Sequence, residues 1–108
     1  AKILYNGVSY PKSRLVHAIF KDFVQNNKDI VFDQLARKFP PIQGKRPLFV
    51  KLDEALEIKA KGQARHFVKD DDVLQLIDGP IAISNQWGVL NLPGFLDHCR
   101  DELGIKVG

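Results

Sequence analysis

Segment 84–88, Ser-Asn-Gln-Trp-Gly, places the only tryptophan of the chain directly after two side-chain amides. Asn and Gln are the side chains that can hydrogen-bond an adenine edge through two atoms at once. A Trp ring can stack on the face of a base. The same residue types are also typical of a corner between a strand and a helix, with Trp87 as a hydrophobic plug. We favour the corner, in which Asn85 and Gln86 remain able to contact a ligand.

Basic side chains are concentrated in the middle of the chain. The protein has 16 Lys and Arg against 13 Asp and Glu, a net charge of +3. Segment 37–69 holds nine cations and three carboxylates, a net +6, whereas segment 70–108 holds two cations and seven carboxylates, a net −5. Such segregation is typical of a surface that faces a polyanion, and it is equally compatible with an ordinary solvated surface.

Nucleic-acid binding is the chemistry that these two features support together. Phosphate contacts from cations give affinity, and contacts to base edges give sequence preference. The cations would meet phosphates, the amides would meet base edges, and Trp87 would stack. The predicted nucleic-acid-binding residues are Arg37, Lys38, Gln43, Lys45, Arg46, Lys51, Lys59, Lys61, Arg65, Asn85, Gln86 and Trp87.

Other chemistries lack the residues that they need. Cys99 is the only cysteine, and it falls on the apolar stripe of a predicted helix, where His98 points about 100° away. The histidines are widely separated, so no zinc-ligand spacing is present. The Gly44-Lys45 pair lacks the rest of a phosphate-binding loop. The three aspartates at 70–72 lack the spacing of a calcium loop, so we expect a solvated acidic turn. We therefore expect no catalytic residue, no metal and no cofactor.

Two alternatives to nucleic-acid binding remain open. The first is a protein-interaction or structural module, which would show an exposed apolar patch or a stable oligomer. The second is a metal-dependent nuclease, because Glu57-Ile58-Lys59 has the acid-x-lysine form of restriction-type enzymes. That motif needs a second carboxylate, for example Asp33 or Asp53, to share the metal. A helix over 48–60 would give the motif the wrong geometry.

Turn residues and apolar spacing predict the elements that position these side chains. Asn6-Gly7 between two β-forming triplets predicts a hairpin at 3–10. Apolar residues at helical spacing predict helices over 11–27 and 31–39, and another from 92 to a stop near Gly104, with Asn91 as its cap. Asp78-Gly79 predicts a second hairpin over 74–84. Short strands are expected at 65–69 and 105–107.

Segment 48–60 is ambiguous, since Leu48, Leu52 and Leu56 fit a helix while Leu48–Leu52 alone fits a strand. We favour a helix over the whole segment. The resulting order is a hairpin, three helices, a β-hairpin and a C-terminal helix. This order predicts a single α+β domain over 1–108 with a winged-helix-like architecture. In that architecture Lys51 and the exposed face of the third helix would enter the major groove of DNA.

We expect the protein to lie in a reducing cytoplasm and not in a membrane. The apolar runs are far shorter than the roughly 20 residues of a bilayer span, no leader pattern is present, and a single cysteine excludes an internal disulfide. Because the chain starts at Ala1, we also expect a piece of a larger protein, whose other segments would be partners.

The stretches YNGVSYPKSRLVHAIFKDFV and ISNQWGVLNLPGFLDHCRDELGIKV resemble a small domain of uncharacterised bacterial proteins. Some of those are similar to recognition domains attached to McrB-type restriction ATPases. The resemblance rests on the Asn-Gly hairpin, the NQWG corner and the LGIKV end. It implies a role in targeting DNA, with any motor activity in another segment, since no Walker motif is present here. It does not identify the binding residues.

Overall fold

The computed structural model describes residues 2–107, which form an α+β domain with two small antiparallel sheets. The helices are α1 (Lys12–Gln25), α2 (Phe32–Lys38), α3 (Leu52–Ala60) and α4 (Leu92–Leu103), with a short 3₁₀ turn at Ile42–Gly44. The strands are β1 (Ile3–Tyr5), β2 (Val8–Tyr10), β3 (Phe49–Lys51), β4 (Leu74–Leu76) and β5 (Gly79–Ile83). Strands β1 and β2 form one sheet, and the other has the order β3-β5-β4.

The N-terminal hairpin and three of the predicted helices are confirmed. Asn6 and Gly7 have φ values of 51° and 79°, the left-handed conformation that a two-residue hairpin turn requires. Helix α1 ends at Gln25, with Asn26 as its C-terminal cap, and most of its apolar stripe is buried. Helix α4 ends at Leu103, and its C-terminal cap is Gly104, whose φ of 64° suits a residue without a Cβ.

The prediction of one helix over 48–60 was wrong, because the segment is a strand followed by a helix. Phe49 and Val50 are both buried and pair with Ile83 and Ala82 of β5. A strand pairs each of these apolar side chains with a neighbour in the sheet, which a helix starting at 48 would not do. Helix α3 starts only at Leu52. The carboxylates of Asp53 and Glu54 in its first turn interact favourably with the positive end of the helix dipole.

Three smaller predictions needed correction. Residues 65–69 form no strand, since only His66 makes an isolated bridge, to Ser84. Residues 105–107 also contain no strand. The second hairpin is confirmed, but its turn residues are Ile77-Asp78, and the positive φ falls on Gly79 at the start of β5. Since β3 lies between α2 and α3, the three helices are not consecutive, and the winged-helix assignment remains a prediction.

A cluster of phenylalanine rings joins the helices to the three-stranded sheet. The Phe20 ring centroid lies 4.4 Å from that of Phe39, 5.7 Å from Phe49 and 5.9 Å from Phe95. All four side chains are buried. One residue each from α1, β3 and α4, together with the end of α2, therefore meets at a single point of the core.

Asp72 holds the turn before β4 against α1. Its carboxylate accepts two hydrogen bonds from Arg14, at 2.7 and 3.1 Å, and its backbone oxygen lies 2.8 Å from Nε2 of His17. A solvated acidic turn was expected over 70–72. Asp70 and Asp71 are exposed as expected, but Asp72 is only 8% exposed. The Arg14 guanidinium lowers the pKa of the Asp72 carboxyl below its usual value.

We expect Asp72→Asn to lower the free energy of unfolding by about 1 kcal/mol at neutral pH, since a charge-assisted pair becomes a neutral one. The lowered pKa means that the pair stabilises the fold above the unfolded carboxyl pKa and loses this effect as pH falls through the folded pKa. Denaturant unfolding should therefore show that the free energy of unfolding falls less between pH 7 and pH 3 in Asp72→Asn than in the wild type. Asp71→Asn, at an exposed neighbouring residue, is the control. An equal fall in the free energy of unfolding in Asp72→Asn and Asp71→Asn would contradict a stabilising pair between Arg14 and Asp72.

Candidate nucleic-acid interface

The segment 84–88 is a corner between β5 and α4, as predicted. The Nε1 of Trp87 donates a hydrogen bond of 2.8 Å to the backbone oxygen of Ser84. The Trp87 ring is half-buried, with its centroid 4.9 Å from that of Phe95 on α4. The indole therefore fixes the direction in which the chain leaves the sheet and enters the helix.

The side-chain amides of the corner bond largely to the corner itself. Asn85 donates to the backbone oxygen of Ala64 at 3.3 Å and accepts from Nε2 of Gln86 at 2.6 Å. Asn91 holds the N-terminal position of α4 but makes no capping bond with its side chain. It accepts from the Gly88 amide and donates to the Gln86 oxygen, both at 2.8 Å. Of the three amides predicted to contact base edges, Gln43 and Gln86 are exposed, whereas Asn85 in the corner is partly buried.

A groove of about 720 Å³ lies beside this corner. Lys45 and Arg46 enter it from the loop before β3, and Arg65 enters from the segment after α3. Gln86 and Trp87 line it from the corner. Its remaining lining residues are Pro47, Leu48, Val50, Glu54, Ile58, Gln63, His66, Ser84 and Asn91. The groove thus combines three cations, one aromatic ring and apolar side chains.

Backbone hydrogen bonds bring these distant segments together. Ser84 N donates to the oxygen of Leu48 at 3.0 Å, which ties the corner to the residues after Arg46. Asn85 N donates to the oxygen of Arg65 at 2.9 Å, which ties the corner to the segment after α3. Because these bonds use only the main chain, the side chains at 46 and 65 are not needed to hold the groove in place.

The other predicted binding residues lie outside the lining of this groove. Arg37 and Lys38 line a separate cleft at the junction of α1 and α2, together with Lys28. Lys51 lies with its Nζ 5.7 Å from the centre of the Phe32 ring. The remaining predicted residues, none of which lines the groove, are Gln43, Lys59, Lys61 and Asn85. The structure therefore groups five of the twelve predicted residues in one groove.

The cations of segment 37–69 are not neutralised by carboxylates. Within residues 2–107, the ion pairs closer than 4.0 Å are Arg14 with Asp72 and Arg100 with Asp97. Neither pair includes a cation of segment 37–69. The three cations of the groove accordingly contribute their full positive charge to its surface, against the single carboxylate of Glu54.

No protein-family model matches this chain, and neither a curated protein nor a solved structure proved significantly similar to it.

The structure also places the residues of the alternative chemistries. Glu57 and Lys59 lie on α3, so the acid-x-lysine motif is helical rather than extended. Over residues 2–107, no three His, Cys, Asp or Glu side chains are grouped as metal ligands. Cys99 is fully buried, and burial raises the pKa of its thiol to about 12, which leaves it protonated and unreactive at neutral pH. No helix in this part of the chain is long and apolar enough to cross a membrane.

His66 is a groove residue that the sequence did not single out. Its Nδ1 is buried and has no hydrogen-bond partner within the described residues. Desolvation lowers the pKa of the imidazole, although the nearby Glu54 carboxylate opposes this shift. A histidine in a basic, irregular segment gives no sequence signal of such burial, because the burial arises from the tertiary bridge between His66 and Ser84. The lowered pKa favours the neutral form of the ring.

The lowered pKa of His66 predicts a specific pH dependence of stability. Below about pH 6.5 the unfolded chain takes up a proton at this histidine more readily than the folded protein does. The contribution of His66 to the free energy of unfolding should therefore fall as pH falls from 7.5 to 5.5. Denaturant unfolding of His66→Asn over this range should show a weaker pH dependence than the wild type. An unchanged dependence in the variant would contradict a buried neutral ring.

Proposed function

We propose that this domain binds nucleic acid through the groove beside the corner, without catalytic activity of its own. The observation that carries the proposal is the grouping of Lys45, Arg46 and Arg65 with Gln86 and Trp87 in the lining of one groove. Cations that have no carboxylate partner are the groups that bind phosphates and release counterions. An aromatic ring and an amide at the same groove can contact bases. Duplex DNA is the proposed ligand.

The groove, rather than α3, is the proposed contact surface. A winged-helix mode of binding, as the sequence predicts, would place the exposed face of α3 in the major groove. That helix carries the carboxylates of Asp53, Glu54 and Glu57 against one cation, Lys59. Three carboxylates on a nine-residue helix would repel the phosphates that line both sides of a DNA groove. Binding by α3 is therefore less favourable than binding by the groove.

Five groove residues have proposed roles. Lys45 and Arg46, both exposed, would contact phosphates of the DNA backbone, and Arg65 would contact a further phosphate. Gln86 would offer its amide to a base edge. Trp87 would contact a base with the exposed part of its ring, since its Nε1 is engaged by Ser84. Together with the resemblance to recognition domains, these roles describe a targeting module for other segments of a larger protein.

A salt titration tests the proposal. Binding of a fluorescently labelled DNA duplex should be measured at about 50 mM and about 200 mM salt. If three cations each neutralise one phosphate, the dissociation constant should rise roughly 40-fold between these conditions. No binding at the lower salt concentration, or binding that does not change with salt, would overturn the proposal.

A further inference from the structure

Two large apolar side chains project into solvent directly after the corner. Val89 is 77% exposed and Leu90 is 87% exposed, the highest values among the large hydrophobic side chains of residues 2–107. They lie between Trp87 and Asn91, which both line the groove. Side chains this exposed contribute little to the core, and exposed apolar side chains that adjoin one another can mark a site of contact with another molecule.

The turn that carries these side chains is held by hydrogen bonds at both ends. Leu92 N donates to the oxygen of Gly88 at 3.0 Å, which closes the turn around Val89 and Leu90. The side chain of Asn91 bonds Gly88 N and the oxygen of Gln86. The apolar tip is therefore presented in a fixed position beside the groove, and a ligand would not have to order it on binding.

We propose that Val89 and Leu90 form an apolar wedge that inserts between stacked base pairs of the DNA held in the groove. This inference rests on the proposed function. Two points favour DNA as the occupant. The tip borders a groove with three cations and one carboxylate, which complements a polyanion. Leu is among the apolar side chains that insert between base steps, unstack them and kink a duplex.

A second copy of the chain is a poorer fit to the tip. A stable protein interface buries about 800 Å² on each partner. Two adjacent side chains supply only a small part of that area. The other exposed large hydrophobics lie in the two hairpins and on α3, and none of them lines this groove: they are Leu4, Val8, Leu56 and Ile77. A wedge does not need an interface of that area, because the bases on either side contact the inserted side chains directly.

The test compares the wild type with the double variant Val89→Ser, Leu90→Ser. A set of DNA duplexes is prepared in which each duplex carries 2-aminopurine in place of the adenine of a different TA step. TA steps are chosen because they unstack most readily. Wild-type binding should increase the 2-aminopurine emission of at least one duplex, because unstacking relieves quenching. The double variant should bind with the same salt dependence, about tenfold more weakly, and without the emission increase. Because both side chains are exposed, the variant should retain the wild-type unfolding midpoint.

Ile77→Ser is the matched control, since Ile77 is 62% exposed in the turn between β4 and β5. It should leave both affinity and emission unchanged. Salt-dependent binding without an emission change in any duplex would overturn the wedge and leave the proposed function standing. Absence of binding would overturn both. A wild-type dimer in sedimentation that becomes a monomer in the double variant would assign the tip to a protein interface and overturn the wedge.

Discussion

Changing Lys45, Arg46 and Arg65 together to glutamate should weaken duplex binding by about 100-fold or more at low salt. The variant replaces the three proposed phosphate contacts with three repulsive charges in the groove that the cations share with Trp87 and Gln86. It should also abolish most of the salt dependence, because the slope of affinity against salt reports the number of phosphates contacted. The measurement is the same fluorescence titration, carried out at several salt concentrations.

The chain offers a control with an identical change in net charge. Lys28, Arg37 and Lys38 line a separate cleft at the junction of α1 and α2. Changing these three to glutamate lowers the net charge equally, so any general loss of attraction to DNA is the same in both variants. We expect the control to lose only a few-fold in affinity and to keep the wild-type salt slope. Equal losses in the two variants would show that net charge, rather than the groove, determines binding.

The groove variant should fold as the wild type does. Lys45 and Arg46 are exposed, and neither they nor Arg65 take part in an ion pair among residues 2–107. The contacts of Arg65 that hold the groove are made by its backbone, which the substitution retains. An unfolding midpoint close to the wild-type value would therefore allow a loss of binding to be attributed to the groove.

Local sequence signals were sufficient for the elements that form from neighbouring residues. Asn6-Gly7 predicts the first hairpin because few residues adopt positive φ at both turn positions. The stripe from Leu15 to Val24 predicts α1 because its spacing matches the helical repeat. The corner at 84–88 was also predicted, since an apolar strand precedes it and a helix with a plausible first residue follows.

The elements that depend on partners distant in the chain could not be predicted. Residues 49–51 form a strand because β5, about thirty residues later, pairs with them, and their own sequence fits either structure. The groove itself is created by main-chain bonds from the corner to Leu48 and Arg65. A count of cations along the sequence therefore could not show that Lys45, Arg46 and Arg65 share one groove while Arg37 and Lys38 line another cleft. Burial of the His66 ring has the same tertiary origin.

Phe95→Ala should cause the largest loss of stability of any single change considered, about 3–5 kcal/mol in the free energy of unfolding. The ring is fully buried on α4, and its centroid lies within about 6 Å of those of Phe20, Phe39 and Trp87. Its removal leaves a cavity where α1, α2 and α4 meet, and it removes the surface against which the corner packs. A domain of this size is stabilised by only about 5–15 kcal/mol, so the loss is a large fraction of the total.

Phe95→Leu separates the cavity from the loss of apolar contact. Leucine keeps most of the buried volume, so this variant should lose less than about 2 kcal/mol and should fold under all conditions used for DNA binding. Urea unfolding, followed through the fluorescence of Trp87, measures both variants with a probe that sits on the ring being changed. If the alanine variant unfolded at the same midpoint as the leucine variant, the packing of α4 and the corner on the phenylalanine cluster could not be a main source of the stability of the domain. A larger loss in the alanine variant would show that the volume of the buried ring, which also packs against Trp87 of the corner, stabilises the domain.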